Sequence, residues 1–404
     1  MENTTSKSLW ASFGPLQYTV IGICFLCNML DGMDVLIISF TAPAIAKVWS
    51  ISPNQLGLIF SSGLVGMTLG AVFLAPLADR FGRKPLMVSA ALLMGSCIFL
   101  TASAENITFL LVYRLLSGMG IGVMMATTAA LTAEYTPQHS RSFWVSMVVA
   151  GYPVGAVLTG LISVPIITQM GWEQLFRIAG ISTLVVVPIL LFFLKESEAF
   201  KTVIKKDAAR VKEFFDPKYK WGTFFLWCAL FLSFTTLYFL INWIPKLASN
   251  AGLSMELALY SGMIFNLGAI VGIPIQGYLS SRYGLLKTVS GLMLATTLFL
   301  VVFGFFKGSN LLLFILFLLG FGVQGGFVGL YAVAAGFYPT SIRTTGVGWS
   351  IGIGRLGGIL GPLLGGLLVS FGLDMTGSFM IFALPVLLAA VVTKKIKHKK
   401  EKAA

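Results

Sequence analysis

Apolar stretches of membrane-spanning length recur from one end of the 404-residue chain to the other, and nothing constrains its fold more. A helix crossing the hydrocarbon core of a bilayer needs about 20 predominantly apolar residues. Twelve such stretches are expected, at roughly 17–41, 53–78, 84–104, 107–133, 142–168, 174–194, 221–247, 255–280, 285–305, 309–337, 342–370 and 375–393. Charged residues make up 11% of the chain against 57% hydrophobic ones, which leaves no stretch with the composition of a soluble domain. Inside a bilayer each spanning segment must satisfy its own backbone N–H and C=O groups, so helices are the form these stretches take. The chain is therefore read as an all-α integral membrane protein. One lysine and no small-residue cleavage pattern precede Tyr18, so the first span is expected to serve as its own signal.

A formal charge of +13 would suit nucleic acid, but the placement of the cations excludes that partner. Of 28 Lys and Arg, 22 fall in segments on the same side as the two termini, including eight between Lys195 and Lys220 and six from Lys394 onward. Only Lys47, Arg177, Lys246 and Lys307 fall in the opposite loops. This skew sets both termini in the cytoplasm, for a multi-pass protein of the cell inner membrane. The lysines of the C-terminal tail are expected to meet anionic lipid.

The two halves repeat each other at a constant offset of 202 positions. Pro43 matches Pro245, Gly66 matches Gly268, Gly70 matches Gly272, Asp79-Arg-Phe-Gly82 matches Ser281-Arg-Tyr-Gly284, Pro137 matches Pro339, and Gly155 matches Gly357. Six helices plus six are expected, in two pseudo-symmetric bundles: 1–195, a cytoplasmic connector at 196–220 with mixed charge, and 221–404 with a basic tail. Repeats of this kind place a binding site at their interface near the midplane and alternate access by rocking one half against the other.

Several motifs carry chemistry. Between the second and third spans stands Ala75-Pro-Leu-Ala-Asp79-Arg80-Phe-Gly82-Arg83-Lys84, in which an acid, a glycine turn and three cations suit a latch across the cytoplasmic mouth. The fourth span holds Arg114-Leu-Leu-Ser-Gly118-Met-Gly120-Ile-Gly122, and the first holds Asp31-Gly-Met-Asp34. The loop resembles the signature loop of the major facilitator superfamily, with Ala75 where a glycine is usual. Together with Tyr338-Pro-Thr-Ser-Ile-Arg343 and Gly352-Ile-Gly-Arg355-Leu-Gly-Gly-Ile-Leu-Gly361-Pro, the set resembles the aromatic acid:proton symporter family over nearly the whole chain. That resemblance implies the major facilitator fold, and a role in transport for the first-span aspartates and the arginines at 114 and 355. It also implies carriage of benzoate-type acids, hydroxybenzoates or the ring-cleavage dicarboxylate muconate.

A charge near mid-bilayer costs roughly 2.5–3.5 kcal/mol on insertion scales. Counted along helices at 1.5 Å per residue, Asp31 and Arg355 lie about 21 Å from the cytoplasmic ends of their spans, and Asp34 and Arg114 about 26–28 Å. Two acids and two bases at matched depths offset one another. Arg114 is expected to pair with one aspartate while Arg355 faces the cavity and takes the substrate carboxylate in a forked geometry. Asp31, Asp34, Arg114 and Glu134 are grouped as proton-coupling residues. Asn28, Tyr152, Tyr238, Asn242, Asn266, Gln324 and Tyr331 are polar or aromatic residues within spans and join Arg355 as candidate walls for a flat anion. Asp79, Arg80, Gly82, Arg83, Lys84 and Arg343 form the candidate latch.

Other readings are weaker. Gly352-Ile-Gly354-Arg-Leu-Gly357 fits a dinucleotide fingerprint, but no strand precedes it and it lies within a span. Cys24 and Cys27 form a CxxC inside a lipid-spanning helix with no second ligand pair, so they read as packing residues and no metal is expected. No enzymatic motif is present, and no cofactor is expected beyond the proton as coupling ion. A monomeric proton-coupled importer of an organic acid is the first reading. A proton-driven exporter of drugs or other organic compounds is the second, disfavoured by Gly151-Tyr-Pro-Val-Gly155 in the fifth span, which lacks the glycine–proline pattern of superfamily antiporters. A membrane-embedded receptor or enzyme is the third.

Overall fold

The computed structural model describes residues 14–137, 141–196, 216–217, 219–306, 311–338 and 343–396. Twelve helices among them are long and apolar enough to cross a membrane. In chain order they are α1 (Pro15–Val48), α2 (Pro53–Leu77), α3 (Arg83–Thr101), α4 (Ile107–Tyr135), α5 (Gly151–Met170), α6 (Trp172–Phe193), α7 (Lys220–Asn250), α8 (Met255–Tyr283), α9 (Leu285–Val302), α10 (Leu311–Phe337), α11 (Arg343–Ser370) and α12 (Met375–Lys395). Twelve crossings return the chain to its starting side, so Pro15 and Lys395 share one side, here the terminal side; the other is the far side.

The expected spans and the helices differ where proline intervenes. The fifth span is not one helix: Arg141–Val149 leads into α5 across a break at Ala150. Pro153 has no N–H to bond the carbonyl of Val149, and the helix opens there. In α1, Pro43 is absorbed without a break and the helix runs on to Val48. The last turns of α2 widen into a π-helical segment at Gly70–Leu74 and then tighten into a 3-10 turn around Pro76.

The repeat extends to atomic contacts. A Cβ on Gly66 or Gly70 would collide with the carbonyl oxygens of Leu115 and Met119 on α4; one on Gly268 or Gly272 would collide with those of Phe317 and Phe321 on α10. Gly118 meets Gly63 as Gly320 meets Phe265, and Gly155 meets Met29 as Gly357 meets Phe231. Each pair is displaced by the same 202 positions. Small residues let backbones approach in a medium that offers no hydrophobic drive between helices. Within each half the same partners result: α1 with α5 and α2 with α4 in one, α7 with α11 and α8 with α10 in the other. Gly82 and Gly284, at matching turns, both adopt positive φ (101° and 92°).

The two six-helix bundles meet through α2 and α11, α5 and α8, and α1 and α7. Pro53, Asn54 and Gly57 press on Pro362 and Gly366, and Gly160 meets Met263, with Phe40 between Gly160 and Gly262. Ser61 Oγ donates to the Ile359 carbonyl at 2.7 Å. Ser39 Oγ donates to the Ile241 carbonyl at 2.8 Å, a carbonyl that Pro245, four residues on, cannot bond. Phe60 sets its ring edge-on to Trp243 at 5.4 Å. These contacts lie in the far halves of their helices, with Gly160 at the middle of α5, so the far side is closed.

Substituting valine for Gly118 or for Gly320 must force backbones apart at matching points of the two bundles. Overpacking of this kind costs about 1–3 kcal/mol, so thermal unfolding of each purified variant should shift down by similar amounts. Gly291→Ala, where a Cβ meets nothing within 4 Å, should leave the transition in place or raise it. A shift for Gly291→Ala as large as for the valine variants would contradict the packing account.

Candidate functional site

Three ionisable side chains from two helices of the first bundle are sealed from solvent at its centre. Asp31 and Asp34 are both 0% exposed and Arg114 is 3% exposed. An Arg114 Nη1–H donates to Asp34 Oδ1 at 2.6 Å. The pair forms because α4 lies beside α1, and Gly63 on α2 leaves space for the guanidinium, which a Cβ there would approach to 3.3 Å. Asp31 is different: neither carboxyl oxygen has a hydrogen-bond partner among the described residues. A cavity of about 10 Å³, lined by Arg114, Val35 and Phe60 with Asn242 from the second bundle, sits against the arginine. That is room for about one water.

Tyr152 is packed across the same helix crossing, its backbone carbonyl where a Cβ of Gly32 would be. Its hydroxyl is buried with no partner among the described residues. It lies within electrostatic reach of Asp31 and Asp34 on one hand and of Tyr238 and Tyr331 of the second bundle on the other. Arg355, partly buried on α11, makes one hydrogen bond among the described residues, to Met125 Sδ across the interface at 3.9 Å. A thioether is a weak acceptor, so the guanidinium keeps most of its donors uncommitted. Tyr238 and Tyr331 are within reach of its charge.

The amides among the polar residues expected to line a cavity also make hydrogen bonds within their own bundles. Asn28 Nδ2–H groups go to the Cys24 carbonyl at 3.0 Å and to Thr128 Oγ1 at 2.9 Å. Asn242 donates to the Tyr238 carbonyl at 2.8 Å. Asn266 donates to the Gly262 carbonyl at 2.9 Å and accepts from Gln324 Nε2 at 3.4 Å. Asn28, Asn266 and Gln324 thereby tie neighbouring helices of one bundle together, as buried amides in spans do, whereas the Asn242 bond stays within α7 and that residue lines the cavity beside Arg114. Tyr152, Tyr238, Tyr331 and Arg355 gather at the interface of the bundles.

Glu134, grouped above with the proton-coupling residues and also a candidate for the latch, is placed at the loop between α2 and α3. It lies about 30 Å along α4 from Arg114, at the terminal side, where it accepts from Arg83 Nη2–H at 3.1 Å. The same guanidinium donates to the Ala78 carbonyl at 3.0 Å. Lys84 Nζ donates to the Leu191 carbonyl at 2.7 Å, and Arg80 is exposed. The side chains of Asp79 and Arg343 lie outside the described part of the structure. Glu196, placed by the sequence reading in the solvated connector, instead docks on this loop: its carboxylate accepts from the backbone N–H of Arg83 at 2.8 Å and of Lys84 at 3.3 Å. It thereby caps the N-terminus of α3, where a negative charge is stabilised.

Sequence reasoning also missed four groups. Ser39 and Ser61, which bridge the bundles, are indistinguishable in sequence from serines bonding within a helix. Phe234 and Phe327 flank Tyr238 and Tyr331, and among 33 phenylalanines only comparison of the two repeats would single them out.

A duplicated pair of helical bundles, closed on one side around a buried charge group and an uncommitted arginine, defines a membrane transporter rather than an enzyme. The chain matches the model of the Major Facilitator Superfamily over residues 24–284 and 262–404, and it belongs to that superfamily, among its aromatic acid transporters. It is 33% identical to the 4-hydroxybenzoate transporter PcaK of Pseudomonas putida, over 96% of each chain. It is 33% identical to the 3-(3-hydroxy-phenyl)propionate transporter of Escherichia coli, over 92% of each. Its fold is similar to that of a D-xylose-proton symporter, with a TM-score of 0.80 at 17% identity, covering 96% of this chain and 99% of that one.

Asp34→Asn removes the one counter-charge that the buried Arg114 guanidinium has among the described residues, and breaking a buried pair costs about 3–5 kcal/mol. Asp31→Asn removes no bond. The Asp34 variant should therefore unfold at a clearly lower temperature than the Asp31 variant, and pairing Asp34→Asn with Arg114→Gln should recover part of the loss. Equal melting of the two single variants would contradict the assigned pairing.

Proposed function

We propose that the protein is a proton-coupled symporter that imports an aromatic carboxylate by alternating access. It sits as a monomer in the cell inner membrane, with both termini and the connector at 196–220 in the cytoplasm. The division of the cations between the two sides supports that orientation. The names of its relatives, carriers of hydroxybenzoate and hydroxyphenylpropionate, support the substrate class. The observation that carries the coupling is the contrast between the two aspartates. Asp34 is compensated by Arg114 at 2.6 Å, whereas Asp31 has no hydrogen-bond partner among the described residues.

An ionised carboxylate without a partner is costly in such a setting, so Asp31 is the group that resides there with its proton on. With the cavity open to an acidic exterior, Asp31 takes up a proton and the substrate carboxylate docks on Arg355. After the bundles rock, both face the cytoplasm, where the lower proton concentration draws the proton away. The carboxylate left on Asp31 then raises the negative potential in the cavity and helps expel the anionic substrate. The Asp34–Arg114 pair stays formed and holds α1 against α4 through the cycle. The loop cations, with Glu134 and Glu196, form the terminal-side latch.

A monoanion moving with one proton transfers no net charge. Each extra proton would add about 2.3 kcal/mol per 100 mV. In proteoliposomes, uptake of labelled 4-hydroxybenzoate or benzoate should follow an imposed pH gradient and be indifferent to an imposed voltage. Asp31→Asn should abolish gradient-driven accumulation while leaving substrate binding intact. Arg355→Gln, which removes charge-assisted bonds worth about 1.5–3 kcal/mol, should raise the half-saturating concentration at least about tenfold. Accumulation that persists in Asp31→Asn would remove the coupling role. Uptake of muconate alone would shift the substrate to a dicarboxylate, and gradient-driven efflux of a cationic dye without acid uptake would favour the exporter.

A further inference from the structure

The two halves descend from one pattern, so the places where they differ in kind are where each has specialised. The buried charges of the first bundle have no equivalents in the second: Asp31, Asp34 and Arg114 correspond, 202 positions on, to Ser233, Thr236 and Leu316. The second bundle departs in the opposite sense. Phe234, Tyr238, Phe327 and Tyr331 correspond to Gly32, Leu36, Met125 and Ala129 in the first, and Arg355 corresponds to Pro153. Four rings and one cation have been placed where the other half keeps aliphatic residues.

These rings form one continuous cluster between α7 and α10. Phe234 stacks on Tyr238 at 5.8 Å with planes 13° apart. Phe327 meets Phe234 edge-on at 4.6 Å and Tyr331 at 5.0 Å. Phe234 is 2% exposed and rests on Gly354 and Gly358, on either side of Arg355 along α11; a Cβ at Gly354 would approach its ring to 2.6 Å. Phe327, Tyr331 and Tyr238 are only partly buried. Met125, which accepts from Arg355 across the interface, is the repeat equivalent of Phe327. Flexible thioethers make favourable contacts with ring edges.

We infer that Phe234, Tyr238, Phe327 and Tyr331 form a ring-binding box beside Arg355 that makes the carrier select planar aromatic acids over saturated acids of the same size and charge. Phe234 is the positioning residue, fixed by the α11 glycines. Phe327 and Tyr331 present the edges and faces a substrate ring meets, and Met125 closes the site from the first bundle. The box rests on the aromatic-carboxylate reading above and adds the source of its selectivity. The two halves then divide the work: the first handles the proton, the second recognises the ring and its carboxylate. Apolar area alone would not give this preference, because a cyclohexane ring buries at least as much of it as benzene does. What distinguishes the benzene ring is its quadrupole, which favours edge-to-face and offset contacts.

Binding to purified protein, measured calorimetrically with three matched pairs of acids, tests the inference. The pairs are benzoate and cyclohexanecarboxylate, 4-hydroxybenzoate and 4-hydroxycyclohexanecarboxylate, and 3-phenylpropionate and 3-cyclohexylpropionate. Ring–ring contacts are worth about two- to tenfold each in binding, so the unmodified carrier should favour the aromatic member of at least one pair by about tenfold. Phe327→Leu should bring that ratio towards one while both acids still bind, and Phe327→Tyr should preserve it. Tyr331→Leu should lower the ratio independently, which keeps the test decisive if the Phe327 variant folds poorly. Equal binding of both members by the unmodified protein, or an unchanged ratio in both leucine variants, would overturn the box and leave aromatic-acid transport standing. Binding of no acid in any pair would overturn the transport reading and the box with it.

Discussion

The organisation of this protein turns on one short ion pair, Arg114 to Asp34 at 2.6 Å, at the centre of a helical bundle where neither charge reaches solvent. A single unpaired charge at that depth would cost several kcal/mol, so the pair ties α1 to α4. Its existence also gives Asp31 its character. With the guanidinium directed to Asp34, the neighbouring acid three residues away has no hydrogen-bond partner among the described residues. In the proposed mechanism one aspartate is structural and the other is available for a proton.

Around that pair the architecture is a duplication carried to the level of individual contacts. The same glycines meet the same backbone carbonyls in both halves, so both bundles share helix spacing and crossing geometry. Function resides in the departures. The first half holds acids and Arg114; the second holds Arg355 and a cluster of rings. Joining them on the far side are close helix packing and hydrogen bonds from Ser39 and Ser61 to backbone carbonyls. Serine donors face carbonyls there, one of them left free by a proline, and in the proposed cycle such contacts part without exposing a charge to the bilayer.

The sequence made some of this plain and hid the rest for physical reasons. Helix number and length followed from hydropathy, because a bilayer imposes both; the break at Ala150 did not, since a proline inside a span bends one helix and opens another. The buried charges stood out because acids and bases are rare at that depth. Which aspartate takes Arg114 could not be read, since residues three apart share a helix face and the choice depends on how α4 is rotated. Glu134 was grouped with the coupling charges, with the latch as its other reading, and it sits at the terminal-side end of a long helix and pairs with Arg83. Glu196 read as a solvated connector residue because nothing in its neighbours marks a cap formed with a loop 113 positions earlier. Phe234 and Phe327 were invisible among so many apolar residues until the two halves were aligned.

The central claim is that Asp31 holds a proton in the substrate-ready carrier while Asp34 does not. Infrared difference spectroscopy of the purified protein across a pH step reads this directly, through the carbonyl stretch of a protonated carboxylic acid. The account predicts such a band in the unmodified protein, perturbed on adding aromatic acid and absent in Asp31→Asn. A band that survives Asp31→Asn unchanged, or no protonated carboxyl at any pH at which the carrier binds substrate, would contradict it.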